Sequence, residues 1–146
     1  MKTVKACLLS VCAVLVFLLA GCGSSGKEKE KIVGTWKQDR VLASEAGGEM
    51  TERSRENAAS LYESEQSNYT FSADGKLIHH VEDGGGSFDT EGTWTLSAKD
   101  TYAITEGDSI TDTLTYDSSD DTLHRHWKSA NSDDMYTEID FVYIRK

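Results

Sequence analysis

"EKIVGTWKQDRVL", residues 30–42, passes from a charged approach into Gly-Thr-Trp and then into positions that alternate between two faces. A period of two is that of a β-strand, and glycine beside tryptophan leaves room for an indole to lie flat against crossing backbone. The first strand is therefore read as Val33 to Leu42. Seven more follow by the same pattern: Asn68 to Ser72, Lys76 to Glu82, Ser87 to Leu96, Thr101 to Glu106, Ser109 to Tyr116, Thr122 to Lys128 and Met135 to Arg145. Their links are short and rich in Gly, Asp and Ser, such as Ser72-Ala73-Asp74-Gly75 and Asp83-Gly84-Gly85-Gly86, and the chain has no proline. Such links join antiparallel neighbours in order. The fold class expected is all-β: an eight-stranded antiparallel up-and-down barrel, closed so that neither edge stays unpaired. The long connection, 43–67, differs. Its stretch Thr51 to Glu63 has an N-cap at Thr51, and Ala58, Leu61 and Tyr62 share one face, so a short helical insert is expected between strands 1 and 2.

Upstream of the barrel lies a targeting segment. Lys2 and Lys5 precede an apolar run from Ala6 to Ala20, broken only by Ser10. About 15 residues rise roughly 22 Å as a helix, short of a bilayer core of about 30 Å, so a permanent span is disfavoured. The run ends in Leu19-Ala20-Gly21-Cys22. This resembles the lipobox of bacterial lipoproteins, which implies that Cys22 is acylated and becomes the mature N-terminus. Three units follow: a signal peptide at 1–21, a lipidated cysteine and flexible tether at 22–31, and a barrel domain at 32–146. The tether reading rests on Gly23-Ser24-Ser25-Gly26 and the alternating charges of Lys27 to Lys31. With Cys7 and Cys12 removed and Cys22 consumed, no cysteine remains for a disulfide or a thiolate metal site. The chain carries 25 acidic and 15 basic residues. Losing Lys2 and Lys5 makes the remainder more acidic still, which argues against nucleic acid as a partner.

Gly34-Thr35-Trp36, the insert directly after the first strand, the run of hairpins and Arg145 at the end of the last strand resemble the calycins. That superfamily includes the lipocalins and the fatty-acid-binding proteins. The chain is also similar to short bacterial lipoproteins described as lipocalin-like. The resemblance covers roughly Ile32 to Lys146 and lacks the lipocalins' disulfides and their middle and late motifs. It implies a structural plug in which Trp36, freed by Gly34, packs beneath Arg145, and cation–π attraction supplies the stacking force. Gly92-Thr93-Trp94 repeats the triplet 58 residues on and is read as a second strand start of similar chemistry.

If Trp36 faces inward, alternation carries Gln38, Arg40 and Leu42 with it. On later strands it selects, among others, Tyr69, His79, Phe88, Trp94, Leu114, Arg125, Trp127, Phe141 and Tyr143. Aromatic residues of this size either fill an eight-stranded barrel or line room for one small ligand. Arg40, Arg125 and Tyr143 are the candidates to meet a ligand carboxylate, with Trp94, Trp127, Phe88 and Phe141 around it. The other reading leaves both arginines at the rim, paired to surface acids.

His124 and His126 share a strand face and His79-His80 could add a ligand, but no third ligand is placed by sequence, so no metal or cofactor is expected. The acid-rich 117–121 and 132–134 segments read as turns and lack the ligand spacing of a calcium loop. No nucleophile elbow, His-Glu-x-x-His or phosphate loop occurs, and catalysis is not expected. Two functions remain open. One is a monomeric lipoprotein on the extracytoplasmic side of a cell or outer membrane, whose barrel binds a small hydrophobic or amphiphilic molecule. The other is a solid-cored module that engages a protein partner.

Overall fold

At Gly34 the backbone takes φ +131°, a region that a side chain strains, and a β-carbon there would lie 3.1 Å from Nη1 of Arg145. The computed structural model describes residues 22–45, 47–54, 66–107, 109–131 and 133–146. They form one helix, α1 (Cys22–Ile32), and nine strands: β1 (Gly34–Ser44), β2 (Thr51–Arg53), β3 (Gln66–Phe71), β4 (Lys76–Asp83), β5 (Gly86–Ala98), β6 (Thr101–Glu106), β7 (Ser109–Asp117), β8 (Thr122–Lys128) and β9 (Glu138–Arg145).

All nine strands belong to one antiparallel sheet, and a β1–β9 pairing closes it. Eight strands, β1 and β3 to β9, make an up-and-down barrel in sequence order, the architecture expected from the strand pattern. The closing seam runs from Trp36↔Arg145 to Ser44↔Glu138. β1 spends its other edge twice, on β3 from Gly34 to Lys37 and on β2 from Val41 to Ala43.

Two expectations are corrected here. Thr51 does not cap a helix. Thr51–Arg53 forms β2, because the far half of the β1 edge would otherwise be unpaired. The rest of the expected insert, from 55 on, falls outside the described residues, as does the signal segment 1–21. The described helix instead precedes the barrel, at the residues expected to be a flexible tether. Its last turns are held to the barrel: Ile32 is fully buried, Lys31 pairs with Asp100 at 2.7 Å and Glu28 at 3.0 Å, and the Tyr102 hydroxyl donates to the Glu28 carbonyl at 2.6 Å. Tertiary contact thus overrides linker-like composition.

α1 closes one end of the barrel. Trp36 Nε1 donates to the Ile32 carbonyl at 2.7 Å, and the Arg145 guanidinium lies 4.2 Å over the Trp36 ring. Arg145 also donates to the carbonyls of Val33 (2.9 Å) and Lys31 (2.6 Å). Above this plug, Phe71, Leu77, Trp94, Tyr102, Leu114 and Leu123 fill the interior, with Phe71 and Tyr102 each set edge-on to Trp94.

Gly92 marks the tightest strand approach. A β-carbon there would fall 2.2 Å from the Thr105 carbonyl oxygen, on the paired strand β6. Gly92→Ala is expected to cost about 1–3 kcal/mol through forced backbone shifts, read as a lowered urea midpoint. An unchanged midpoint would show that β5 and β6 can part there freely.

Candidate functional site: the open end of the barrel

Inward-facing side chains change character along the barrel axis. Near α1 they are apolar and fully buried. Towards the opposite end, where Ser44, Asp83, Gly86 and Lys128 end or begin their strands, they become charged, then exposed. Cross-strand register identifies the set: Leu123↔Tyr143, Arg125↔Phe141 and Trp127↔Ile139 on β8 and β9, Ile104↔Asp112 on β6 and β7, and Gly92↔Glu106 and Val81↔Phe88 on the β5 edges. Residues directly opposite one another share a face. Tyr143 is 1% exposed, Trp127 42% and Phe88 55%. The Arg125 and Asp112 side chains lie between these extremes, at 17% and 23%. The described residues thus form a cup: apolar floor, a belt of charge, and an aromatic rim.

The belt is made of two pairs. Arg125 Nε donates to Asp112 Oδ2 at 2.6 Å, and the guanidinium lies 5.7 Å from the Phe141 ring centre. His79 stacks on Tyr69 with centroids 4.2 Å apart and bridges two partners, Ser67 Oγ at Nε2 (3.0 Å) and Glu106 at Nδ1 (3.3 Å). Ionisable groups turned inward need such partners, since an unpaired buried charge is costly. Below the belt, Gln38 is 3% exposed, and neither its Oε1 nor its Nε2 has a hydrogen-bond partner.

The seven residues expected around a ligand are divided by this geometry. Arg125, Phe141, Trp127 and Phe88 lie on the inward face of the open end. Arg40 does not. A β-bulge between Gln38 and Arg40 shifts the alternation, so that Val41 and Ala43 turn inward, and Arg40 pairs outside with Asp39 (2.9 Å) and Asp120 (3.9 Å). Tyr143 is beneath the floor, edge-on to Tyr69 with centroids 5.2 Å apart. Trp94 belongs to the packed end, its Nε1 donating to the Ser72 carbonyl at 3.0 Å. Phe88 and Trp127 rim the cup and do not fill its centre. Glu106 and Asp112 were missed, although the alternation that selects Ile104 and Leu114 selects them too. Their charge hides them from that pattern, because strand interiors are expected to be apolar.

The histidines separate in the same way. His124 sits on the outer face, with Nδ1 2.8 Å from Asp140 and Nε2 2.8 Å from Thr122 Oγ, while His126 is exposed. Asp117, Asp120 and His124 bring three ligand atoms within 4.8 Å of one another. Each is already engaged, Asp117 by the Ser119 amide and Asp120 by the Thr122 hydroxyl. Among the described residues no helix is long and apolar enough to cross a membrane.

No family model matches the chain, and no curated protein matches it. Among solved structures, lobster apocrustacyanin A1 aligns with a TM-score of 0.43 at 13% identity, over 84% of this chain and 69% of that one. The topology defines the class: a closed eight-stranded antiparallel up-and-down β-barrel, plugged at one end.

The hydrogen bond to Asp140, with the nearby acidic charges, raises the His124 pKa above the ordinary imidazole value. A raised native pKa stabilises the fold fully below the unfolded value, near 6.5, and that contribution is lost as pH rises through the native value. His124→Gln is therefore expected to destabilise the protein more at pH 5 than at pH 8.5 in urea unfolding. An equal loss at both would mean that the imidazolium adds nothing.

Proposed function

We propose that this chain is an exported lipoprotein, held at a membrane through acylated Cys22, and that its barrel binds a small amphiphile at the open end. One observation carries the binding reading: the inward faces pass from a sealed aromatic core to part-buried charge and an exposed aromatic rim. A core built only for stability has no reason to turn Phe88 and Trp127 inward and leave them wet. Large apolar side chains converging on a few placed polar groups are what a small-molecule site needs. The apolar part of the ligand would lie between Phe88 and Trp127, with its polar end on the Arg125, Asp112, Glu106 and His79 belt. The filled lower half limits how deep a ligand can reach, so the occupant is short.

The anchor reading draws on the lipobox resemblance and on charge. Two acyl chains hold a protein stably where one does not, because each buried methylene adds about 0.8 kcal/mol. α1 begins at Cys22 and runs to the plugged end, an arrangement that would set the open end away from the membrane. Catalysis has no part in this reading; the chain is a binding protein.

Two outcomes are expected. Cys22→Ser should abolish incorporation of radiolabelled palmitate and leave an uncleaved precursor; continued labelling would remove the anchor. Phe88→Ala should weaken an amphiphile that titrates in native mass spectrometry by roughly tenfold, the effect of losing about 1.4 kcal/mol of apolar contact. Unchanged binding would place the ligand elsewhere.

A further inference from the structure

We infer that the outer face of the β7–β8 hairpin holds a divalent metal ion of the zinc class, coordinated by His124 Nε2 and the carboxylates of Asp117 and Asp120. The site lies outside the barrel and stands whether or not the cup takes an amphiphile. Strand pairing builds it. β7 ends at Asp117 and β8 starts at Thr122. The register Asp117↔Thr122 and Thr115↔His124 turns Asp117, Thr122 and His124 outwards, away from the buried Leu123. The turn between the strands adds Asp120, so that three ligand atoms come within 4.8 Å of one another. Zinc distances of about 2.1 Å need shifts of under about 1 Å in two exposed aspartates. Residue order offers His126 as the partner of His124; the fold supplies the two carboxylates instead.

The imidazole is oriented for this role from outside the cluster. Asp140, on β9, accepts from Nδ1 at 2.8 Å, the carboxylate–histidine arrangement that fixes the tautomer of a metal-binding ring. A neutral ring held in this way carries its lone pair on Nε2. That nitrogen is 2.8 Å from Thr122 Oγ, whose single proton goes to Asp120 Oδ1 at 2.5 Å. Nε2 thus points a lone pair at oxygens, a mismatch that a cation between them resolves. The carboxylates have capacity to spare. Asp117 receives the Ser119 amide at 2.8 Å, and Arg40 reaches Asp120 Oδ2 only at 3.9 Å, whereas an ionised carboxylate offers roughly four acceptor positions. A nitrogen ligand and so few oxygens disfavour calcium, which takes about 6–8 oxygens. Three protein ligands on an exposed turn leave a fourth position for water.

The test titrates Zn2+ alone into the full-length chain in detergent, with its 3 cysteines alkylated and a buffer that does not bind metals. Calorimetry measures affinity, and the 15N shift of each imidazole nitrogen locates the ion. A single equivalent is expected, with the shift change centred on His124 Nε2. Asp117→Asn and Asp120→Asn should each weaken binding by about tenfold or more. Asp140→Asn, which only releases the ring, should cost about tenfold and also change the tautomer that the metal-free 15N shifts report. His126→Gln should leave the affinity unchanged. A shift at His126 or His80 in place of His124, or full affinity in both aspartate variants, would overturn the assignment. So would the absence of binding below about millimolar Zn2+, which would leave Nε2 to a proton alone. Ca2+ binding more tightly than Zn2+ would overturn the zinc class. The shift pattern of the unmodified chain decides the matter even if a variant fails to fold.

Discussion

The contact between Arg145 and Trp36 is the constraint on which the rest of the barrel is arranged. A guanidinium 4.2 Å above an indole joins the last strand to the first, and its N–H groups reach the carbonyls of Val33 and Lys31, where α1 ends. One side chain thus serves ring closure, helix docking and the sealing of one end. Gly34 is required where it stands because a β-carbon would crowd that guanidinium, and a positive φ would strain any other residue. With Trp36 covered from outside, its indole N–H needs one acceptor, and Ile32 supplies it.

Sealing one end this tightly sets the character of the other. The interior near Trp36 excludes water, and apart from the buried amide of Gln38 its side chains are apolar or hydrogen-bonded aromatic. Charge can turn inward only where solvent still reaches it and where a partner sits opposite. Both inward pairs, Arg125 with Asp112 and His79 with Glu106, obey that rule. The half-sealed barrel is therefore polarised along its axis, apolar at the plugged end and charged towards the other.

Much of this was legible in the chain. Period-two alternation and the Gly, Asp and Ser turns place eight strands in order, and few register shifts disturb them. Gly34, Trp36 and Arg145 could be paired by resemblance. The site was legible in part: Arg125, Phe141, Trp127 and Phe88 follow from strand parity, whereas Arg40 fails because one bulged residue after Gln38 reverses every side chain beyond it. Glu106 and Asp112 were open to the same parity, and were hidden only by the assumption that inward means apolar.

The helix shows the opposite case. Gly23 to Lys31 reads as a tether by composition, and Thr51 as a helix cap, because local propensity is all that a single stretch of chain reports. Whether those propensities prevail depends on what is packed against them: Asp100 and Tyr102, some seventy residues away, hold the end of α1, and the vacant β1 edge draws Thr51–Arg53 into a strand. Alternation, turn chemistry and charge are local properties, so the strands, their order and the acidity of the surface could be read from residue order. Bulges, docking and the pairing of inward charges depend on residues distant in the chain, and they exist only once the barrel has closed.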